Sequence, residues 1–250
     1  MRIVVCGMGK VERAIRDTLR PHHDVHGYDI DQKKSEISID YLTYADAVIY
    51  IVPTPSLNDG SFDNASLHVA MHAFKDKEVG LHIVSSTATP GSCEQFHKFV
   101  YPVCYKPEFI RLDHVFDDLQ APSFNLIGAS SWEAAQRCAS IYAWNKAPMK
   151  IMSLTEAELA KITLNCALTM KISLANQLHL VAEKLGCDSR VIMDAVGTDP
   201  RIGKAYLRPG APYEGPCLPR DNRMFRFVAE SVGVDAALSK AADVINEAMK

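Results

Sequence analysis

Between residue 2 and about residue 150, short apolar runs alternate with longer amphipathic stretches, the pattern of parallel strands joined by crossover helices. The predicted strands are residues 2–6, 25–28, 47–52, 81–85 and 125–128. Asp46-Ala-Val-Ile-Tyr-Ile-Val52 is apolar at every position after its aspartate, as a strand covered on both faces is, which places it at the centre of the sheet. The pattern changes at Leu154. Residues 154–185 hold no proline or glycine and set Leu164, Leu168, Ile172 and Ala175 at helical intervals, which predicts one long helix stopped by Gly186. A shorter helix over 189–196, a loop over 197–220 and helices over 221–232 and 236–248 follow. The expected architecture is an α/β domain with a parallel sheet, residues 1–150, followed by an all-helical domain, residues 151–250, with one long central helix.

Composition narrows the function classes. With 48% hydrophobic and 23% charged residues, 250 residues suffice for a sizeable core. A formal net charge of -3 and the lack of any basic run give no electrostatic ground for nucleic acid or an anionic membrane as partner. Seven cysteines at irregular spacing, without a CxxC pair, read as reduced thiols of a cytoplasmic protein rather than as disulfides or metal ligands. Arg2-Ile-Val-Val-Cys6 gives way to polar positions too soon for a signal peptide, and no apolar run approaches the ~20 residues of a spanning helix.

Cys6-Gly-Met-Gly-Lys-Val-Glu12 follows the first predicted strand and opens a helix, the context in which a GxGxxG-like match carries weight. Gly7, Met8, Gly9, Lys10 and Val11 are the candidate cofactor-binding residues of this turn. Tyr28-Asp29 ends the second strand, where the Asp29 carboxylate suits an adenosine ribose and repels a 2′-phosphate, so NAD is expected rather than NADP. Glu12 stands where a small residue is usual. A carboxylate in the first helical turn suits the helix dipole but repels a diphosphate seated at the same terminus.

Further downstream, Tyr213-Glu-Gly-Pro-Cys-Leu-Pro-Arg-Asp221 frames a cysteine with glycine and proline and sets an aspartate four residues on, a loop suited to a nucleophilic thiol. Ahead of it, in chain order, come Val52-Pro-Thr-Pro-Ser-Leu-Asn-Asp-Gly-Ser-Phe-Asp63, Ser85-Ser-Thr-Ala-Thr-Pro-Gly91, Lys106-Pro-Glu-Phe-Ile-Arg111, Glu156-Ala-Glu-Leu-Ala-Lys161 with Asn165 one turn on, and Asp199-Pro-Arg-Ile-Gly203. In this order and spacing the stretches resemble the UDP-glucose/GDP-mannose 6-dehydrogenase family, NAD enzymes that oxidise the C6 alcohol of a nucleotide sugar to a carboxylate. The resemblance implies a Rossmann-like first domain and a homodimer formed along the long helix. It sets Pro53, Thr54 and Thr87 against the cofactor and implies catalytic roles for Cys217, Lys161, Asn165, Asp221, Glu108 and Thr87, the last two acting on a water. It also implies substrate contacts for Phe109, Ile110, Arg111, Lys161, Asn165, Arg201, Tyr213 and Gly215, with Arg201 reaching across the dimer.

The chemistry of the residue types agrees with these roles. Oxidising an alcohol to an acid without releasing the aldehyde calls for a covalent hold, which a thiolate supplies as a thiohemiacetal and then a thioester. Lys161 and Asn165 are four apart on a helix and share a face from which both can donate to an oxyanion. Asp221 and Glu108 are carboxylates able to orient or deprotonate an alcohol and later a water. Each residue also has a structural alternative: Cys217 as a packing thiol, Lys161 and Asn165 as a solvated helix face, Glu108 as the partner of Arg111, Asp221 as a helix cap, Thr87 as a turn residue, Asp29 as a strand end and Arg201 as a loop brace.

Departures from the family pattern bear on activity. Beside Glu12, Glu214 replaces a glycine, Leu112 an acidic residue and Arg220 a lysine. The chain stops at Lys250, where the resemblance places a third domain that supplies much of the nucleotide-sugar site. The leading reading is an NAD-dependent 6-dehydrogenase acting on a nucleotide sugar or a smaller, related sugar alcohol. The alternative is a weak or inactive relative that binds NAD or dimerises, and a third reading, a hydroxyacid dehydrogenase performing one hydride transfer, needs no cysteine.

Overall fold

A computed structural model describes residues 1–111 and 113–250, with Tyr41 by its backbone alone; the Leu112 departure lies outside the described residues. Two compact units divide them, one of Met1–Pro55 with Phe62–Lys161, the other of Ser56–Ser61 with Ile162–Lys250. The first unit contains, in chain order, β1 (Arg2–Cys6), α1 (Lys10–Leu19), β2 (Asp24–Tyr28), β3 (Tyr44–Ala45), β4 (Ala47–Tyr50), α2 (Ala65–Ala73), β5 (Glu78–Val79), β6 (His82–Val84), α3 (Ser92–Phe96), β7 (Val103–Tyr105), α4 (Val115–Gln120), β8 (Asn125–Ala129), α5 (Trp132–Ile141), β9 (Met149–Met152) and the start of α6 (Leu154–Leu185). The second holds the rest of α6 with α7 (Ser189–Gly197), α8 (Leu218–Ser231) and α9 (Ala237–Glu247).

Seven strands form one sheet in the order β2-β1-β4-β6-β7-β8-β9, while β3 pairs with β5 in a separate ladder. Neighbours in the large sheet run parallel except β7 and β8, which are antiparallel. The chain enters at β1, adds β2 on one side and returns to add β4 on the other, so the strand order reverses between β1 and β4. In open sheets of this kind the ligand crevice lies outside the carboxyl ends of those strands.

Both faces of the sheet are covered because both parities of the central strands are apolar. Val4, Cys6, Val48, Tyr50 and Val84 cluster with Leu67 and Met71 of α2, Phe96 of α3 and Leu154 and Ala157 of α6. Ile3, Val5, Ala47, Ile49 and Ile83 cluster instead with Ile15 and Leu19 of α1, Leu119 of α4 and Cys138 and Ile141 of α5. Full burial of each large aliphatic or aromatic side chain contributes about 1.5–3 kcal/mol, so these two interfaces dominate the stability of the unit.

Four elements depart from the patterning expectations. β7 is only three residues long, too short to show a period, and β9 is a partly exposed edge strand, so neither stands out in the sequence. The strand expected over 47–52 ends at Tyr50. The helix expected from residue 221 starts at Leu218, because Pro219 falls in its first turn, where a missing N–H leaves no bond unmade; the preceding loop therefore ends on Cys217, which is the N-cap.

In the second unit α6 ends at Leu185, and Gly186 after it has a φ of +66°, which suits the left-handed stop of a helix. The loop before α8 has little regular structure, and side-chain amides serve as partners for its backbone. Asn176 accepts from the Gly210 N–H at 2.9 Å and donates to the Ala211 carbonyl at 2.7 Å, and Asn246 bonds both ways with Tyr213. A small apolar cluster of Ala175, Met193 and Leu207 lies within this unit. Among the described residues no helix is long and apolar enough to cross a membrane, and no group of three or more His, Cys, Asp or Glu is arranged to hold a metal.

Candidate active site

Register builds the first part of the site. Cys6 aligns with both Tyr28 and Tyr50, so Gly7, Asp29 and Ile51 leave the sheet at adjacent places on its carboxyl edge. The Gly7 N–H donates to the Tyr28 carbonyl at 2.8 Å and the Ile51 N–H to the Cys6 carbonyl at 2.9 Å. Gly7 has a φ of +103°, and a Cβ there would stand 2.0 Å from the Ile51 carbonyl oxygen, so the position requires glycine. Asp29 closes the turn: one carboxylate oxygen accepts from the Met8 N–H at 2.9 Å and the other from the Asp31 N–H at 2.8 Å. Met8 is buried, Val11 half-buried and Lys10 exposed. Gly9 is the N-cap of α1 and offers no side chain to its first N–H groups. Backbone donors, a positive helix end and a carboxylate at the end of β2 suit a dinucleotide.

Glu12 enters this hollow. A Cβ on Gly9 would stand 2.6 Å from Glu12 Oε2, and one on Gly7 3.2 Å from Glu12 Cγ, so the side chain lies where the glycines leave room. Burial pushes its pKa up and the charge of Asp29 adds to the rise, while the N–H groups of Glu12 itself and of Val11 oppose it. The carboxylate thus engages helix-terminal donors that a diphosphate would use. The residues fit a dinucleotide, and one of them competes with it.

The loops beyond β4 and β6 are stitched together. Thr54, buried behind the exposed Pro53, donates to the Thr87 carbonyl at 2.7 Å, and Ser86 Oγ accepts from the Val52 N–H at 2.8 Å. Ser85 Oγ donates to the Lys106 carbonyl at 2.6 Å, tying the Thr87 turn to the segment that bears Glu108. Lys161 is buried; its Nζ donates to the Glu108 carbonyl at 2.6 Å and lies 4.5 Å from the centre of the Phe109 ring, so this residue is not part of a solvated face. The Glu108 carboxylate pairs with the buried Lys106 at 2.6 Å rather than with Arg111, which pairs with Asp118 at 2.5 Å. Ile110 is half-buried against the core.

In the second unit the N-terminus of α8 gathers the remaining chemistry. Cys217 is half-buried at the N-cap, and the Asp221 N–H one turn on donates to its carbonyl at 2.8 Å. The fully buried Asp221 carboxylate accepts from Asn165 Nδ2 at 2.5 Å and from Arg220 Nε at 2.8 Å. Of the seven thiols only those of Cys187 and Cys217 are not buried, and burial pushes Cys6 and Cys166 up to about 12. Tyr213 is buried with its hydroxyl donating to Asp243 at 2.5 Å, and Gly215 is exposed with a φ of +82°. Arg201 is exposed and pairs with Asp199 at 2.6 Å within its own turn.

One residue escaped sequence reasoning. Glu158, inside the Glu156–Lys161 motif, is fully buried and accepts from the N–H groups of Gly91 and Cys93 at 2.6 and 2.8 Å. Its position three residues before Lys161 is the only signal the sequence offers.

Comparison with known proteins gives consistent matches. Residues 32–146 match the NAD binding domain, and residues 155–248 the central domain, of the UDP-glucose/GDP-mannose dehydrogenase family. UDP-glucose 6-dehydrogenase AglM of Haloferax volcanii is 28% identical over 94% of this chain and 61% of its own length. The UDP-glucose 6-dehydrogenase of Rickettsia bellii is 28% identical over 80% of this chain and 49% of its own length. The structure of a UDP-glucose dehydrogenase from the hyperthermophilic archaeon Pyrobaculum islandicum superimposes with a TM-score of 0.90 at 29% identity, over 99% of this chain and 68% of that one. The chain therefore spans about half to three-fifths of the length of the two relatives matched by sequence.

Proposed function

Because the chain belongs to the UDP-glucose/GDP-mannose dehydrogenase family, we propose that it oxidises the C6 alcohol of a UDP-glucose-like nucleotide sugar to the uronic acid, with NAD as oxidant and Cys217 as covalent carrier of the aldehyde. The observation that carries this reading is the start of α8, where a half-buried thiol at the N-cap is followed one turn later by a buried carboxylate bound to Asn165. In this reading residues 1–150 form the cofactor domain and residues 151–250 the domain that carries the thiol.

Gly7, Met8, Gly9, Lys10, Val11, Asp29, Pro53, Thr54 and Thr87 hold NAD, which when bound supplies the hydride acceptor for both oxidations. Cys217 Sγ, giving up its proton to a neighbouring base, adds to the aldehyde carbon to form a thiohemiacetal, which the second oxidation converts to a thioester. Water adds to the thioester carbonyl and Sγ leaves as the thiol, releasing the carboxylate. Glu108 and Thr87 are assigned to that water, and Lys161 and Asn165 to the oxyanion that develops at each addition. Asp221 fixes the Asn165 amide and is the nearest base along α8 to Cys217. Phe109, Ile110, Arg111, Arg201, Tyr213 and Gly215 are assigned to the substrate.

A homodimer along α6 is part of the reading, supported by Leu174, Val181 and Leu185, which are exposed at helical spacing. Sedimentation of the chain as a monomer would reject it. The covalent route is tested with NAD and UDP-glucose: two NADH per acid are expected from the wild type and no acid from Cys217→Ala, and acid formation by the variant at the wild-type rate rejects the thioester. The Glu12 side chain in the hollow favours a second reading, an NAD-binding or dimerising relative with feeble turnover; NAD binding by calorimetry without NADH formation would select it.

A further inference from the structure

Glu158 of α6 is a fully buried carboxylate that the proposed chemistry leaves unused. Its Oε2 accepts from the Gly91 N–H at 2.6 Å and its Oε1 from the Cys93 N–H at 2.8 Å, and the Cys93 thiol bonds to it as well. These donors belong to the start of α3, whose N-cap, Gly91, has a φ of +94° and no side chain to offer. The carboxylate therefore caps α3 from another helix. The segment it caps is the tail of the turn that carries Thr87. That turn is held at its head by Ser85 Oγ on the Lys106 carbonyl at 2.6 Å, and at its middle by Thr54 Oγ1 on the Thr87 carbonyl at 2.7 Å. Three residues after Glu158, Lys161 donates to the Glu108 carbonyl at 2.6 Å. One turn of α6 thus fastens both segments whose residues are assigned to the hydrolytic water.

We infer that Glu158 is a positioning residue: its two carboxylate oxygens fix the 91–93 end of the Thr87 turn and so the place of the Thr87 hydroxyl. The inference rests on the proposed oxidation, in which Thr87 acts on water. An ionised carboxyl is acceptor-only and matches two N–H donors and a thiol, whereas a protonated one points an O–H at a donor and releases it. Burial pushes the Glu158 pKa up to about 7; the N–H and thiol of Cys93 and the N–H of Gly91 oppose the rise, and Glu94 on α3 adds to it. The Cys93 thiol, raised well above its ordinary value by its own burial, stays protonated and remains a donor throughout. The clamp accordingly closes as pH rises through about 7.

Glu158→Gln keeps the shape and removes the titration. Wild-type kcat for acid formation is expected to rise in a one-proton step centred near pH 7. The variant is expected to turn over about tenfold more slowly at pH 8 and without the step. Hydrogen exchange at the Gly91 and Cys93 amides needs no substrate: their protection, corrected for intrinsic rates, is expected to grow across the same step in the wild type and to stay low in the variant. A step retained by the variant, or equal protection in the two proteins, overturns the inference. Exchange behaving as expected in a wild type that oxidises no nucleotide sugar leaves the clamp standing and rejects the proposed function instead.

Discussion

Glu12 places a carboxylate among the N–H donors between β1 and α1, in room left by Gly7 and Gly9. An incoming diphosphate must move that side chain or bind beside its charge. A charge at a partly buried helix terminus is worth about 1–2 kcal/mol, so Glu12→Gly is expected to tighten NAD binding by about fivefold to thirtyfold. The sign of the pH effect follows from the raised pKa: protonation removes the charge that opposes the diphosphate, so wild-type affinity is expected to climb as pH falls, while the glycine variant stays flat. Titration calorimetry at pH 5.5 and pH 8 checks both statements. Equal affinities for the two proteins at both pH values would mean that the side chain swings clear without cost.

At the scale of elements, the turn joining β1 to α1 separates two glycines that look alike in the motif. A Cβ at Gly7 would meet backbone, the Ile51 carbonyl oxygen at 2.0 Å, in a left-handed conformation, whereas a Cβ at Gly9 would meet Glu12 Oε2 at 2.6 Å, the movable end of a side chain. Gly7→Ala is expected to destabilise the first unit by about 2–4 kcal/mol, and Gly9→Ala by less than about 1 kcal/mol. Urea unfolding followed by tryptophan fluorescence reads this unit alone, since both tryptophans of the chain, Trp132 and Trp144, lie in it. Equal midpoints for the two variants would contradict the assignment. Long periodic elements are legible before any coordinates: α6 runs over the stretch free of glycine and proline and stops at Gly186. Val103-Cys-Tyr105 is not legible, because three apolar residues have no period, and the start of α8 is hidden because Pro219 reads as loop. The same limit applies at the site. The motifs name Lys161 and Glu108, but that Lys161 bonds the Glu108 backbone, that Lys106 takes the Glu108 carboxylate and that Glu158 caps α3 depend on folding distant segments together.

For the molecule as a whole, two buried groups of the first unit give opposite dependences of stability on pH. His82, stacked on Tyr50 with its Nδ1 2.8 Å from the Tyr50 hydroxyl, is pushed by burial from 6.5 down to about 4. Between those values the unfolded chain binds a proton that the folded chain refuses, so this contribution is present above 6.5 and is lost as pH falls toward 4. Glu158 runs the other way: raised from 4.5 to about 7, it keeps a proton in the folded state that the unfolded state has released, so its contribution is present below 4.5 and is lost as pH rises through about 7. The two shifts, 6.5 − 4 and 7 − 4.5, are each about 2.5 units, or roughly 3 kcal/mol apiece. They therefore offset one another between pH 4.5 and 6.5, leaving little net slope from this pair. Removing either group is expected to expose the other. Urea midpoints read by Trp132 and Trp144 should climb with pH across that window in Glu158→Gln, where His82 acts alone, and decline in His82→Asn, where Glu158 does. The slope is the readout, because either substitution also changes packing and so the absolute midpoint. Parallel slopes in the wild type and both variants would show that neither group titrates as its surroundings require, and would remove the basis for a clamp that closes near neutral pH.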